Sequence, residues 1–120
     1  MTLQSADSAS ALRERRWRQV AGTIGALGVA AGAFGAHALD THPRIDVWKT
    51  AALYHVFHAI VLVVPALPVA TRYLFTAGVV VFSGSLYGLV LLEQPWLGAI
   101  TPLGGLSFIA GWLWLGWSKS

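Results

Sequence analysis

Three histidines, His37, His55 and His58, are the residues of this chain best suited to chemistry. His55 and His58 stand three apart in the string YHVFH, so a helix places them on one side. Imidazole ligates metals and haem, relays protons and makes hydrogen bonds. Tyr54, Ser83, Ser85, Tyr87 and Thr101 add hydroxyls within otherwise apolar sequence. Four uses are open to such a set: hydrogen bonding between helices, a pocket for a quinone, lipid or small solute, metal or haem ligation, and proton relay. One helix offers at most two histidine ligands here, and no carboxylate lies at their depth, so no metal site is assigned. Interhelical hydrogen bonding is the simplest use, because polar groups in hydrocarbon must find partners and turn inward.

No catalytic residue is assigned. Ser83-Gly84-Ser85 lacks the flanking glycines of a nucleophile elbow, and no α/β sheet is expected to carry one. The glycine-rich stretch 22–35 has phosphate-loop spacing only superficially: no Lys-Ser/Thr follows it and no strand precedes it. The chain has no cysteine, which removes disulfides and thiolate sites. No cofactor is expected.

The elements that must position these residues are four long apolar runs. Hydrophobic residues make up 56% of the 120 residues and charged residues 11%, against about 25% charged in soluble domains. Mean hydropathy is +0.64. Past Lys49 the only Asp, Glu, Lys or Arg residues are Arg72, Glu93 and Lys119, too few to coat a soluble domain. The composition therefore predicts an all-α, polytopic membrane protein, a bundle of four transmembrane helices in one domain. The expected spans are 20–39, 48–70, 73–92 and 97–117, each near the ~20 residues that cross a bilayer. Asp40-Thr41-His42-Pro43 stops the first helix. Pro65 and Pro68 kink or shorten the second. Thr101-Pro102 either starts a short last helix or kinks a longer one. Trp112, Trp114 and Trp117 are expected in an interfacial belt.

Residues 1–19 form a polar, then basic, tail. Its first part is expected to be disordered, with Ala11–Arg18 continuing helically into the interface. The basic run leads into an apolar segment longer than a signal-peptide core, so an uncleaved first helix is expected. Arg13, Arg15, Arg16 and Arg18 are assigned to lipid headgroups, which explain the formal charge of +3 better than nucleic acid does. With four spans, Arg13, Arg15, Arg16, Arg18, Arg72 and Lys119 share one side, and Arg44 and Lys49 the other. That asymmetry predicts both termini in the cytoplasm and a multi-pass inner (plasma) membrane protein.

Gly28 and Gly32 form a GxxxG, with Gly25 and Gly35 on the same helix face; Gly84 and Gly88 form a second. Small residues let helix backbones approach in lipid. Helix packing is therefore assigned to Gly28, Gly32, Gly35, Gly84 and Gly88, and the first helix is expected at the centre of the bundle.

Several strings, GAFGAH (32–37), YHVFH (54–58), FSGSLY (82–87), TPLGG (101–105) and FIAGW (108–112), resemble the YgdD-like family of small four-helix membrane proteins. The resemblance runs from about Val20 to Trp117 and leaves the basic tail outside. It implies a four-helix membrane fold and no particular activity. Tyr54, Phe57 and His58 match the family motif, whereas His55 falls at a variable position. The function expected is that of a non-enzymatic structural or accessory membrane subunit, with the bilayer, a membrane-protein partner or a second copy as partners. The alternatives are a carrier or channel for a small solute, and a histidine-based metal, haem or quinone-binding protein.

Overall fold

The structure is a computed structural model that describes residues 2–119. Four helical rods make it up, and no strand occurs among the described residues. The first rod is α1, Leu3–Ala38, and the second is α2, Ile45–Leu62. The third begins as α3, Val69–Gly78, passes through a π-helical turn, Val79–Ser83, and continues as α4, Gly84–Leu92. A 3-10 turn, Pro95–Ala99, leads into the fourth rod, α5, Thr101–Trp117.

The segment expected to be disordered is helical. Thr2 caps α1, its Oγ1 accepting from the Ser5 backbone N–H at 3.1 Å, and Ala, Leu, Arg and Glu then supply strong helix formers up to Gln19. One helix thus runs without a break from the tail through the first apolar segment. It stops where Asp40–Pro43 predicts.

The second rod is shorter than expected, ending at Leu62. Pro65 and Pro68 force the backbone before them out of helical geometry. Ala66 takes a left-handed φ of 60° in the turn between them. Pro68 then serves as the N-cap of α3, and Arg72, expected in a connection, falls inside the first turns of that helix. At Thr101 the first of the two readings holds: α5 starts there with Pro102 in its opening turn, though Thr101 is not the N-cap. Its hydroxyl bonds Ser85 instead, at 2.6 Å.

Helix α2, not α1, lies at the centre. It packs against α1, α3, the π turn and α4. Ala51, Ala52, His55, His58, Ala59 and Leu62 are all buried, so α2 is covered on more than one face. Helix α1 is close-packed along one seam only. A Cβ placed at Gly28 would lie 2.7 Å from Val56 Cγ2, and one at Gly35 would lie 2.5 Å from Trp48 Cδ1. These two glycines act as expected, but Gly32 does not: it meets nothing within 4 Å. It borders a shallow groove shared with Ala52 and Val56, where small residues on both helices leave a gap.

The second GxxxG is also corrected. A Cβ at Gly84 would meet nothing within 4 Å, and one at Gly88 would meet only Leu97 Cδ1, at 3.1 Å. The π turn just before Gly84 rotates that face away. The close approaches on this side lie at Gly78 against Phe108, Gly104 against the backbone of Phe82, and Gly111 against Phe75. Around them Ala21, Leu62, Phe75, Val79 and Phe108 form the core.

The rods alternate in direction. Glu14, Arg72 and Gly111 gather at one end through Glu14–Arg72 and Thr71–Gly111 contacts. Trp48 and Tyr87 meet at the other, with ring centroids 4.5 Å apart. Both ends of the described chain therefore lie at the same end of the bundle.

Candidate functional site

The polar residues singled out from the sequence do not form one cluster. The structure divides them into three hydrogen-bonded joints between neighbouring rods and leaves His37 outside all of them.

The first joint centres on His55, buried on α2. Its Nε2 lies 2.8 Å from the carbonyl oxygen of Ile24 on α1. Its Nδ1 lies 2.8 Å from the Tyr87 hydroxyl on α4. A carbonyl only accepts, so Nε2 carries the proton and Nδ1 accepts from the Tyr87 O–H. One neutral imidazole thus ties three rods together. The Ile24 carbonyl lies one turn before Gly28, where the missing side chain lets α1 come close to His55.

The second joint centres on His58, one turn further along α2. Its Nδ1 donates to the Tyr54 carbonyl at 2.8 Å, and its Nε2 accepts from Trp112 Nε1–H at 3.1 Å. The two histidines therefore hold opposite tautomers. His58 also stacks face to face on Phe108, with centroids 3.8 Å apart, and meets Phe75 edge-on at 4.9 Å. Tyr54 contributes its carbonyl and its ring, which packs at 4.9 Å from Phe82.

The third joint belongs to the hydroxyls. Ser83, inside the π turn, donates to the Ala51 carbonyl of α2 at 2.8 Å. Ser85 bonds Thr101 of α5 and donates to the Phe82 carbonyl at 3.0 Å. Each hydroxyl thus has a protein partner. One turn before Ala51, Trp48 donates its indole N–H to the Ala31 carbonyl of α1 at 2.8 Å.

His37 is exposed near the end of α1 and has no hydrogen bond or ring contact among the described residues. His37 therefore does not join the polar set in which the sequence places it: residue 37 sits at the Trp48 end, whereas His58 packs on Phe75 and Trp112, toward the Arg72 end.

Two features escaped the sequence reading. Trp112, expected in the aromatic belt, is the hydrogen-bond partner of His58. Its spacing from Phe108 by one helical turn, facing YHVFH, was the available signal. The other is the pair of Glu14 and Arg72. Arg72 is 2% exposed, and its Nη2 donates to both Glu14 oxygens at 2.9 and 2.8 Å. Its guanidinium also lies 5.6 Å from the ring centre of Trp17. Glu14 is the one acid in the arginine run, and Arg72 the one cation between Lys49 and Lys119. That coincidence was readable. Arg13, Arg15, Arg16 and Arg18, in contrast, all stay exposed along α1, as headgroup contacts require.

Among the described residues no three His, Asp or Glu side chains gather in a way that would hold a metal ion. Beside His58 lies an open groove of about 480 Å³, walled by Tyr54, Phe57, Phe82, Phe108 and Trp112. Leu3–Ala38, Val69–Leu92 and Pro95–Trp117 are each long and apolar enough to cross a membrane.

A family model described as a protein of unknown function, DUF423, matches residues 31–105. The chain belongs to the DUF423 family. The matched stretch holds His55, His58, Tyr87 and the Ser85–Thr101 pair, and excludes Glu14 and Trp112. Relatives are bacterial. The UPF0382 membrane protein YwdK of Bacillus subtilis is 44% identical over 108 residues, covering 78% of this chain and 88% of its own. The UPF0382 membrane protein SH2409 of Staphylococcus haemolyticus is 43% identical over 100 residues, covering 74% and 82%. No solved structure matches. With three helices of spanning length and relatives of this kind, the chain is an integral membrane protein. The resemblance to a membrane family of unassigned activity holds at that level.

Proposed function

We propose that this protein is a non-enzymatic structural or accessory subunit of the bacterial inner membrane, crossing it four times with both termini in the cytoplasm. The observation that carries the reading is the state of the two buried histidines. All four of their ring nitrogens are engaged by Ile24, Tyr87, Tyr54 and Trp112. A histidine held this way locks packing; to ligate or relay it must first break a joint. We also identify the family with the YgdD-like group, on the strings quoted above.

Helix α2 supports the count of four. It is 18 residues long, about 27 Å, and carries Asp46 and Lys49 in its first turns. Those charges sit at one end of the rod, while its remainder packs on α1, α3 and α4 and leaves Leu53, Phe57 and Ile60 as an apolar outer face. Its antiparallel packing against rods of spanning length supports a fourth crossing. The six-to-two excess of Lys and Arg at the end that carries both termini supports the orientation.

Two measurements test the proposal. Reporter fusions after Lys119 and within residues 41–44 should place the first inside and the second outside; the reverse result sinks the topology. Purification from native membranes in mild detergent should yield a stoichiometric membrane-protein partner; a homo-oligomer alone would favour a carrier or channel for a small solute. A monomer that co-purifies with no partner would remove the accessory role.

A second reading rests on the groove beside His58. Its aromatic walls suit a flat apolar ligand such as a quinone. Native mass spectrometry of the purified protein decides it: a retained apolar small molecule, lost in Phe108→Ala, favours this reading over the first.

A further inference from the structure

We infer that the cleft between the basic part of α1 and the start of α3 is a binding site for one anionic phospholipid. The cleft encloses about 640 Å³ and is lined by Leu12, Arg13, Arg16, Trp17, Val69 and Tyr73, among others. Arg13 and Arg16 are three apart on α1 and share its face. Neither has a carboxylate partner among the described residues: the recorded ion pair is Arg72 with Glu14, which removes the one acid beside them. Arg13 still feels the Glu14 carboxylate electrostatically, but neither guanidinium is bonded to an acid, and both border a concave surface.

The remaining wall is apolar and uncovered. Leu12, Val69 and Tyr73 are 47%, 45% and 63% exposed. Trp17 and Tyr73 meet edge to face, with centroids 5.2 Å apart, and form an aromatic edge. Trp17 is held from behind by the buried Arg72. Val20, the first residue of the apolar stretch of α1, also lines the cleft. Along α1 the surface passes from Arg13 and Arg16 to the paired rings of Trp17 and Tyr73 and then to Val20, with Leu12 and Val69 flanking the arginines, over the depth at which water gives way to hydrocarbon. A phospholipid has that same order: phosphate, glycerol esters, acyl chains. Guanidinium forks match phosphate oxygens with two parallel hydrogen bonds, and such bonds are strongest where water is partly excluded. A zwitterionic lipid brings its own cation and gains less from two unpaired arginines. The occupant is accordingly an anionic lipid of the surrounding leaflet. Arg15 and Arg18 belong to the same run but do not line the cleft, which separates a built site from general attraction to a charged surface.

The test uses the full chain purified in non-ionic detergent. Dioleoyl phosphatidylglycerol or dioleoyl phosphatidylcholine is added, and retained lipid is counted by native mass spectrometry across a titration. The wild type should retain one phosphatidylglycerol in preference to phosphatidylcholine. Arg13→Gln/Arg16→Gln should weaken that binding roughly 30-fold. Arg15→Gln/Arg18→Gln removes the same charge and should leave it unchanged. Ala9→Phe fills the cleft without touching a charge and should weaken binding as well. Equal losses in the two arginine pairs would reduce the effect to surface charge and overturn the site. So would wild-type binding by Ala9→Phe, or equal retention of the two lipids.

Discussion

Arg72 Nη2 reaches both carboxylate oxygens of Glu14, at 2.9 and 2.8 Å, from a position 58 residues away. The two partners are not equivalent. Arg72 is almost wholly buried, whereas the Glu14 side chain is 35% exposed. Removing Glu14 strands a buried cation, already carrying one unpaired nitrogen at Nε; removing Arg72 leaves a carboxylate that water reaches. Glu14→Gln is therefore expected to unfold at a lower temperature than Arg72→Met, by roughly 5 °C or more. Thermal denaturation in detergent checks the order; Arg72→Met as the weaker variant would contradict it.

The same pair makes a pH prediction. The hydrogen bond from Arg72 holds the Glu14 carboxyl below its ordinary value of 4.5. A carboxyl depressed in the folded state adds stability above its unfolded pKa and loses it as pH falls through the folded one. The wild type should therefore exceed Glu14→Gln in stability at neutral pH. The gap should narrow once pH drops below about 4.5 and close at lower pH. Unfolding series of both proteins between neutral and acid pH measure it, and a constant gap would show that the carboxylate charge is not what matters.

His55 and Tyr87 should couple. His55→Leu strands the Ile24 carbonyl and the Tyr87 hydroxyl, at a cost of roughly 1–3 kcal/mol, and Tyr87→Phe costs about 1 kcal/mol. Because the two touch, the double variant should lose less than the sum. His37→Ala and His58→Ala, with no contact between them, should add. A double-mutant cycle for each pair reads this directly, and additivity at His55–Tyr87 would deny the bond.

The glycines divide sharply. Gly104→Ala drives a methyl into the Phe82 backbone, and Gly35→Ala into the Trp48 ring. Each should cost about 1–3 kcal/mol. Gly32→Ala and Gly84→Ala meet open space and should be neutral or gain up to about 1 kcal/mol from better helix propensity. Melting temperatures of the four variants settle the assignment.

Much of this architecture was legible in the residues. Apolar runs announced the rods, and Asp40–Pro43 and the prolines near residue 65 announced their breaks. Of the polar residues, His55, His58, Ser83, Ser85, Tyr87 and Thr101 bond between rods, whereas His37 stays exposed. What stayed hidden was azimuth. Depth along a helix follows from counting, but which neighbour a side chain faces depends on how the rods are arranged. Depth failed in one case: His37 and His58 were placed by it in one polar set, yet they lie toward opposite ends. Gly32 and Gly84 fitted the GxxxG spacing, yet spacing says nothing about what stands opposite. Similarly, α2 rather than glycine-rich α1 took the centre, because covering a rod on several sides requires small or bonded residues all round it. The lone acid of the arginine run finds its partner outside its own helix, 58 residues along the chain, where no spacing rule points.

The π-helical turn at Val79–Ser83 carries one residue more than a regular helix of the same height needs. Each residue rotates a helix by about 100°. Deleting one residue there would restore an ordinary helix and swing Ser85 and Tyr87 off Thr101 and His55 together, while Gly78 stayed against Phe108. The five residues of that turn thus work as a phase setting between the two halves of the third rod. Val79 and Ser83 are fixed by what they touch, but the number of residues in the turn is fixed as well, and gain or loss of a single codon at this spot would cost more than most replacements of a side chain.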